Sequence, residues 1–339
     1  MNCFKQRTSF LRITHHALRN MSYTLIFFAL FTSHHTVCAV YSDISGERTC
    51  FALSEHALEA FEMSNYDLAI QKFTAARECF LLRQGDKETP LTTFFLRHIG
   101  GIYFLMGNYD LAIKNYEKAL DILLNFLGEE NIVMVITYNE AGTVYLAQGK
   151  FELALEYYEK ALAIDLKING EENPNTAYDY NNIGSAYRAM GEYDQALENY
   201  EKALSIFLKP PYDENSGLAK SYNGIGSVYH DKKDFDLALE NYKKALEIDS
   251  KLRGAGSLNA AEDYDNIGSV YKSQGKYDQA LENYEIALKI RFILLGNEHP
   301  DTAKSYNNIG TVYLAMGDQK QALEYFSKAK EIKLKIYGE

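Results

Sequence analysis

Residues 180–200 read YNNIGSAYRAMGEYDQALENY. Tyr180, Ile183, Gly184 and Tyr187 fall at i, i+3, i+4 and i+7, which places them on one face of an α-helix. Ala196, Tyr200 and Ala203 mark a second helix by the same spacing. Between them Gly191 stands where a left-handed residue would cap the first helix. The stretch therefore predicts two helices joined by a tight turn.

The same pattern recurs on both sides. Glycines lie at Gly100, Gly142, Gly184, Gly226, Gly268 and Gly310, 42 residues apart each time. A tyrosine follows three residues later, from Tyr103 to Tyr313. Alanines follow at twelve and nineteen residues, and an aromatic at sixteen, from Tyr116 to Phe326. A weaker first copy has Ala57, Ala69, Phe73 and Ala76 in these roles. A helix-internal glycine costs about 1 kcal/mol against alanine, so six at one phase need a reason. Close approach supplies it: the aromatic sixteen residues on, Tyr200 for Gly184, packs where no side chain stands. Most of the 27 tyrosines are accordingly packing residues. The turn glycine recurs at Gly107, Gly149, Gly275 and Gly317, but Lys233 takes its place in one repeat, and that turn is expected to be strained or differently shaped.

This pattern resembles the tetratricopeptide repeat, whose usual unit is about 34 residues. The longer unit here, with linkers such as Leu295-Gly296-Asn297-Glu298-His299-Pro300-Asp301-Thr302-Ala303, looks like the kinesin-light-chain subclass. The resemblance implies an all-α, right-handed superhelical solenoid over residues 46–339. Its seven helix-turn-helix repeats fall at about 50–83, 93–126, 135–168, 177–210, 219–252, 261–294 and 303–336. The heptad coiled coil that precedes the repeats in kinesin light chains is missing from the residues before Gly46, which weighs against the motor-adaptor role.

Residues 1–39 have the layout of a secretory signal peptide: a basic start, an apolar run over Thr24–Thr32, and Val37-Cys38-Ala39 before a cleavage point. The run is too short to span a bilayer. This reading expects an exported protein, secreted or periplasmic; without a leader the protein would be cytoplasmic. Export would also permit a disulfide between Cys50, near the start of the first helix, and Cys79, near the end of the second, because those ends meet in an antiparallel hairpin. The alternative is two partly buried free thiols.

Net charge is -11, and the basic leader makes the remainder more acidic still, so nucleic acid is not an expected partner. The sequence carries no metal-ligand spacing, phosphate loop or nucleophile motif. No catalytic residue, metal, cofactor or small-molecule substrate is assigned, and the protein is read as a non-enzyme. The expected activity is that of an interaction scaffold, with an exported assembly or secretion factor and a cytosolic cargo or signalling adaptor as alternatives.

In the family that it resembles, the first helix of each pair lines the concave side. Counting from the glycine, the positions at -3, +1 and +4 share a face and are expected to form a peptide groove. They supply Asn139; Asn181, Ser185 and Arg188; Asn223, Ser227 and His230; Ser269 and Lys272; and Asn307 and Thr311. Asparagine can both donate to and accept from a peptide backbone. Arg188, His230 and Lys272 form a basic ladder suited to an acidic segment. A clamp for chaperone C-termini is not expected, since only Lys304 with Asn308 resembles half of it. The last hairpin has Gln319 where Tyr193 and Tyr277 stand elsewhere, so its end is only partly adapted to water and end-to-end self-association is expected to compete.

Overall fold

The computed structural model describes residues 47–210 and 215–337; the leader expected over residues 1–39 lies outside them. Among the described residues the chain is all-α, with fourteen helices and no strand. They pair as seven hairpins. These are α1 (Glu47–Glu62) with α2 (Tyr66–Arg83), α3 (Pro90–Leu105) with α4 (Tyr109–Leu127), α5 (Ile132–Ala147) with α6 (Phe151–Ile168), α7 (Pro174–Met190) with α8 (Tyr193–Phe207), α9 (Ser216–Asp231) with α10 (Phe235–Arg253), α11 (Leu258–Ser273) with α12 (Tyr277–Leu295), and α13 (Pro300–Met316) with α14 (Gln319–Tyr337). The chain forms two compact units, which divide within α6 between Ile164 and Asp165.

The first unit opens on a phenylalanine core. Phe73 and Phe80 of α2 pack with Phe95 of α3, and the Phe80 and Phe95 rings stack at 5.5 Å. Cys50 of α1 and Cys79 of α2 are joined in a disulfide across Cα atoms 5.5 Å apart, so the first hairpin is tied covalently. Further along, Leu123, Met134 and Val135 close around Ala161. A buried ion pair, Arg97 of α3 to Glu140 of α5, joins successive hairpins through two hydrogen bonds of 2.8 and 2.7 Å.

In the second unit each hairpin is held by the contact expected from the 42-residue period. The Tyr200 ring lies against Gly184, where a Cβ would stand 3.0 Å from the ring. The same ring is covered on its other side by Gly224 of the next hairpin, where a Cβ would come within 2.3 Å. An alanine at either position forces the ring to move. Tyr242 and Tyr284 repeat the arrangement against Gly226 and Gly268, and all three tyrosines are buried. The alanines at the fixed offsets, Ala196, Ala203, Ala238, Ala245, Ala280 and Ala287, are fully buried and let the helices approach.

The long linkers start the next helix by capping. Asn173 accepts from the backbone N–H of Asn175 at 2.9 Å, and His299 Nδ1 from that of Asp301 at 3.1 Å. Pro174 and Pro300 fill the first helical position, where no N–H is needed. Thr176 and Thr302 donate back to the carbonyls of Gly170 and Gly296 at 2.7 and 2.8 Å, closing the linker on itself. The eight residues beyond a 34-residue unit thus go into lengthened helices and a built cap.

On α14, Lys330 and Lys333 occupy the positions that Leu288 and Arg291 hold in α12, and both lysines are exposed. Leu323, at 66% exposure, is a large apolar side chain left bare on that helix.

The turn at Lys233 is not differently shaped. Lys233 adopts φ +63, the left-handed conformation that Gly191 takes at +81 in the preceding repeat. Its N–H bonds to the His230 carbonyl at 2.9 Å, and that of Asp234 to the Tyr229 carbonyl at 2.8 Å. The repeat imposes the turn, and the lysine carries the strain. Lys233→Gly should therefore stabilise the protein by about 1 kcal/mol, the left-handed penalty of a side chain less the chain entropy of glycine, read as a rise in the urea unfolding midpoint.

Candidate peptide-binding groove

Helices α7, α9 and α11 line an open groove of about 530 Å³ in the second unit. Of the expected groove residues it contains Ser185, Arg188, Asn223, Ser227, His230 and Ser269. Lys272, Asn307 and Thr311 belong to the same unit but not to this groove, and Asn139 belongs to the first unit.

Two of the expected groove asparagines require correction. Asn139 and Asn181 are buried, at 3% and 0% exposure. Asn181 accepts from the Ser221 hydroxyl at 2.9 Å and donates to the Gly217 carbonyl at 3.3 Å, so both ends of its amide are used on α9. Asn223 repeats the theme one hairpin on, donating to Asp263 of α11 at 2.6 Å. Asp265 occupies the next copy and meets Arg291 at 2.7 Å. At Asn181 and Asn223 the position three before the glycine therefore bonds to the neighbouring first helix and stitches hairpins together, whereas Asp265 pairs within its own hairpin.

One residue later the helix has turned about 100°; at this position Gly224 and Asn266 line the groove, whereas Asn182 is buried. Asn182, Gly224, Asn266 and Asn308 hold that position, with Lys220, Glu262 and Lys304 one turn earlier. Lys220, Gly224, Glu262 and Asn266 line the cavity. The doubled Asn181-Asn182 and Asn307-Asn308 pairs were the signal in the sequence, since they leave the register open by one residue.

The small hydroxyls also have a partner inside the protein. Ser185 meets the Tyr200 hydroxyl at 3.1 Å, and Ser227 meets that of Tyr242 at 3.0 Å. The residue after each glycine thus satisfies the polar end of the ring that the glycine admits. In the last hairpin Phe326 has no hydroxyl, and Thr311 instead accepts from Lys272 at 3.2 Å.

The basic ladder is likewise committed to neighbouring hairpins. Arg188 donates to Asp231 at 2.7 Å, which neutralises its charge. His230 Nε2 pairs with the Ser273 hydroxyl at 2.9 Å. Burial holds the His230 pKa below the usual imidazole value, the carboxylate of Asp231 opposing and the charges of Arg188 and Lys272 adding to the fall. It is therefore neutral at pH 7. The cation left to the groove is Lys220, which is exposed and donates to Asn182 at 2.9 Å. Sunk in a concave wall, its ammonium is desolvated and its pKa falls, with Glu262 and Asp179 opposing. Neither Lys220 nor Glu262 forms an ion pair among the described residues, and the Asn266 amide makes no hydrogen bond with them.

Among the described residues no group of three His, Cys, Asp or Glu is placed to hold a metal ion, and no helix is long and apolar enough to cross a membrane. The two asparagine registers give a direct test. Asn181→Ala leaves Ser221 and a carbonyl unpaired in the interior and should cost about 1–3 kcal/mol. Asn266→Ala, in the groove, should leave the melting temperature unchanged.

The sequence matches the tetratricopeptide repeat model over residues 91–167, 133–209, 217–291 and 264–335, and a second tetratricopeptide model over 181–252. No curated protein matches it at a significant level. Among solved structures, BtubC (BKLC) from P. vanneervenii is 26% identical over 68% of this chain and 93% of its own, with a TM-score of 0.56. The apo form of RapI is 20% identical over 86% of this chain and 100% of its own, at a TM-score of 0.60. A tetratricopeptide repeat protein from Parabacteroides merdae is 18% identical over 84% and 93%, at 0.54. Paired helices at a fixed period, the glycine that admits each aromatic and family models matching more than half of the chain agree: the protein belongs to the tetratricopeptide repeat family, with a unit of 42 residues.

Proposed function

We propose that the protein is a non-catalytic interaction scaffold that holds an extended, acidic segment of a partner protein in the groove of the second unit. The observation that carries this reading is Lys220, a cation without a carboxylate partner beside the uncommitted Asn266 amide. An amide in such a place can pair with a peptide backbone, and the ammonium can meet a carboxylate. The groove is open and polar, unlike the apolar enclosures that bury small molecules. Glu262 on the facing helix limits the acidic preference to the Lys220 end.

A fluorescein-labelled dodecapeptide of Glu, Ser and Gly should bind, and one of Lys, Ser and Gly should not. Lys220→Glu should weaken the acidic peptide by tenfold or more at an unchanged melting temperature. Arg188→Glu with Lys272→Glu acts on the stitching between hairpins and should lower the melting temperature. Equal binding of both peptides, or an indifferent Lys220→Glu, would remove the acidic partner from this reading.

The disulfide in the first hairpin supports a second proposal, that the protein works in an oxidising compartment as an exported assembly factor, since structural disulfides persist there and are rare in the cytosol. The exposed lysines on α14 oppose stacking of a second copy on that helix. N-terminal sequencing of the protein from its native source should begin at Val40, after cleavage behind Ala39; an intact Met1 in a reducing cytosol would count against export.

A further inference from the structure

One pair of buried positions recurs at every joint of the second unit, fourteen residues apart across the linker. It is filled by Asp165 and Asp179, then Phe207 and Ser221, then Asp249 and Asp263, then Arg291 and Ser305. Two of these joints are ordinary: Phe207 fills its space with a ring, and Arg291 donates to Ser305 at 2.6 Å while pairing with Asp265. The other two place two buried aspartates at these positions.

The pair at Asp249 and Asp263 joins α10 to α11. Asn259 gives its amide to both oxygens of Asp249 at 3.3 Å each, and Asn223 of α9 gives its amide to Asp263 Oδ1 at 2.6 Å. Asp263 Oδ2 is buried without a hydrogen-bond partner. The charged groups around the pair are Arg253, one turn on along α10, and Glu262, adjacent on α11. Lys220 of α9 is directed to Asn182. Neither Asp249 nor Asp263 forms an ion pair among the described residues. Two carboxylates cannot both stay ionised in such a place without a cation, and the neutral acid is the stable form of at least one.

We propose that the joint between α10 and α11 is a proton-operated lock: the Asp249–Asp263 pair keeps a proton while the hairpins are docked, and losing it in mildly alkaline solution loosens the joint. Burial pushes the Asp263 carboxyl up to about 8, with the Asn223 hydrogen bond opposing and the charges of Asp249 and Glu262 adding. Burial raises Asp249 as well, against its bonds from Asn259 and the charge of Arg253. Asp165 at the equivalent joint is raised by burial, with hydrogen bonds from Asn169 and Asp179 opposing. An unfolded aspartate titrates near about 4. Between that value and about 8 the folded chain holds a proton that the unfolded chain releases. The stability that the lock contributes is therefore complete below the unfolded value and is lost as the pH climbs to the folded one.

Urea unfolding of the full chain from pH 5 to 9 tests this, with Asp263→Ser as the variant because serine fills the same position at Ser221 and Ser305. The wild-type unfolding constant should rise by up to about tenfold per pH unit from this pair, flattening beyond pH 8. Asp263→Ser should lose that part of the slope, and hydrogen exchange should place the alkaline loosening at α10 and α11. Should Asp263→Ser fail to fold, Asp263→Asn is read in the same way. A wild-type slope retained in the variant would overturn the lock. So would a slope abolished by millimolar calcium chloride, which would mean that a cation bridges the pair.

Discussion

The contact on which the rest depends is an aromatic ring against a helix with no side chain at that point. Tyr200 fits against Gly184 within its hairpin and against Gly224 in the next, and a Cβ would crowd the ring at the first and clash with it at the second. That single ring fixes the spacing within one hairpin and between two. Fully buried alanines on the second helices hold the same close spacing along their length. Ser185 completes the arrangement by meeting the tyrosine hydroxyl, so a buried polar atom is not left unpaired. Each hairpin alone would leave one side of this core uncovered, which explains why the repeats stack.

Between neighbouring first helices the cement is polar. Asn181 to Ser221, Asn223 to Asp263 and Arg188 to Asp231 all run from one hairpin to the next. Directional bonds of this kind specify register in a way that a uniform apolar seam cannot, at the cost of buried groups that must all be satisfied. Asp263, whose Oδ2 has no hydrogen-bond partner, is one place where that satisfaction is incomplete. The two aspartate pairs make the joints chemically unequal although the backbone repeats closely, with an aromatic, an ion pair or paired acids at equivalent points. A stack built in this way responds to pH at some joints and not at others.

The groove inherits its chemistry from what the stitching leaves over. Arg188, His230 and the serines are consumed in holding helices together, so their abundance on the concave side overstates how much charge and how many hydroxyls a partner meets. What remains is one exposed lysine, one exposed glutamate and an asparagine amide. A short, sparse set of groups of this kind favours an extended segment over a compact ligand.

The sequence by itself determined the repeat: the 42-residue period, the pairing of helices, the glycine opposite each aromatic and the hairpin that brings Cys50 to Cys79. These are legible because a steric requirement that recurs at every copy leaves the same residue at the same offset. The groove was legible only in part. A first helix offers the -3 and -2 positions about 100° apart, and both carry asparagine at Asn181-Asn182 and Asn307-Asn308, so composition could not say which faces the next helix and which faces solvent. The angle at which successive hairpins pack decided that, sending Asn181 inward and Asn266 to the groove. Tertiary structure likewise decided that Arg188 is neutralised by Asp231, 43 residues away, and that Asp249 and Asp263 are both buried at one joint. Charge pairing across a joint depends on distances that no single repeat contains.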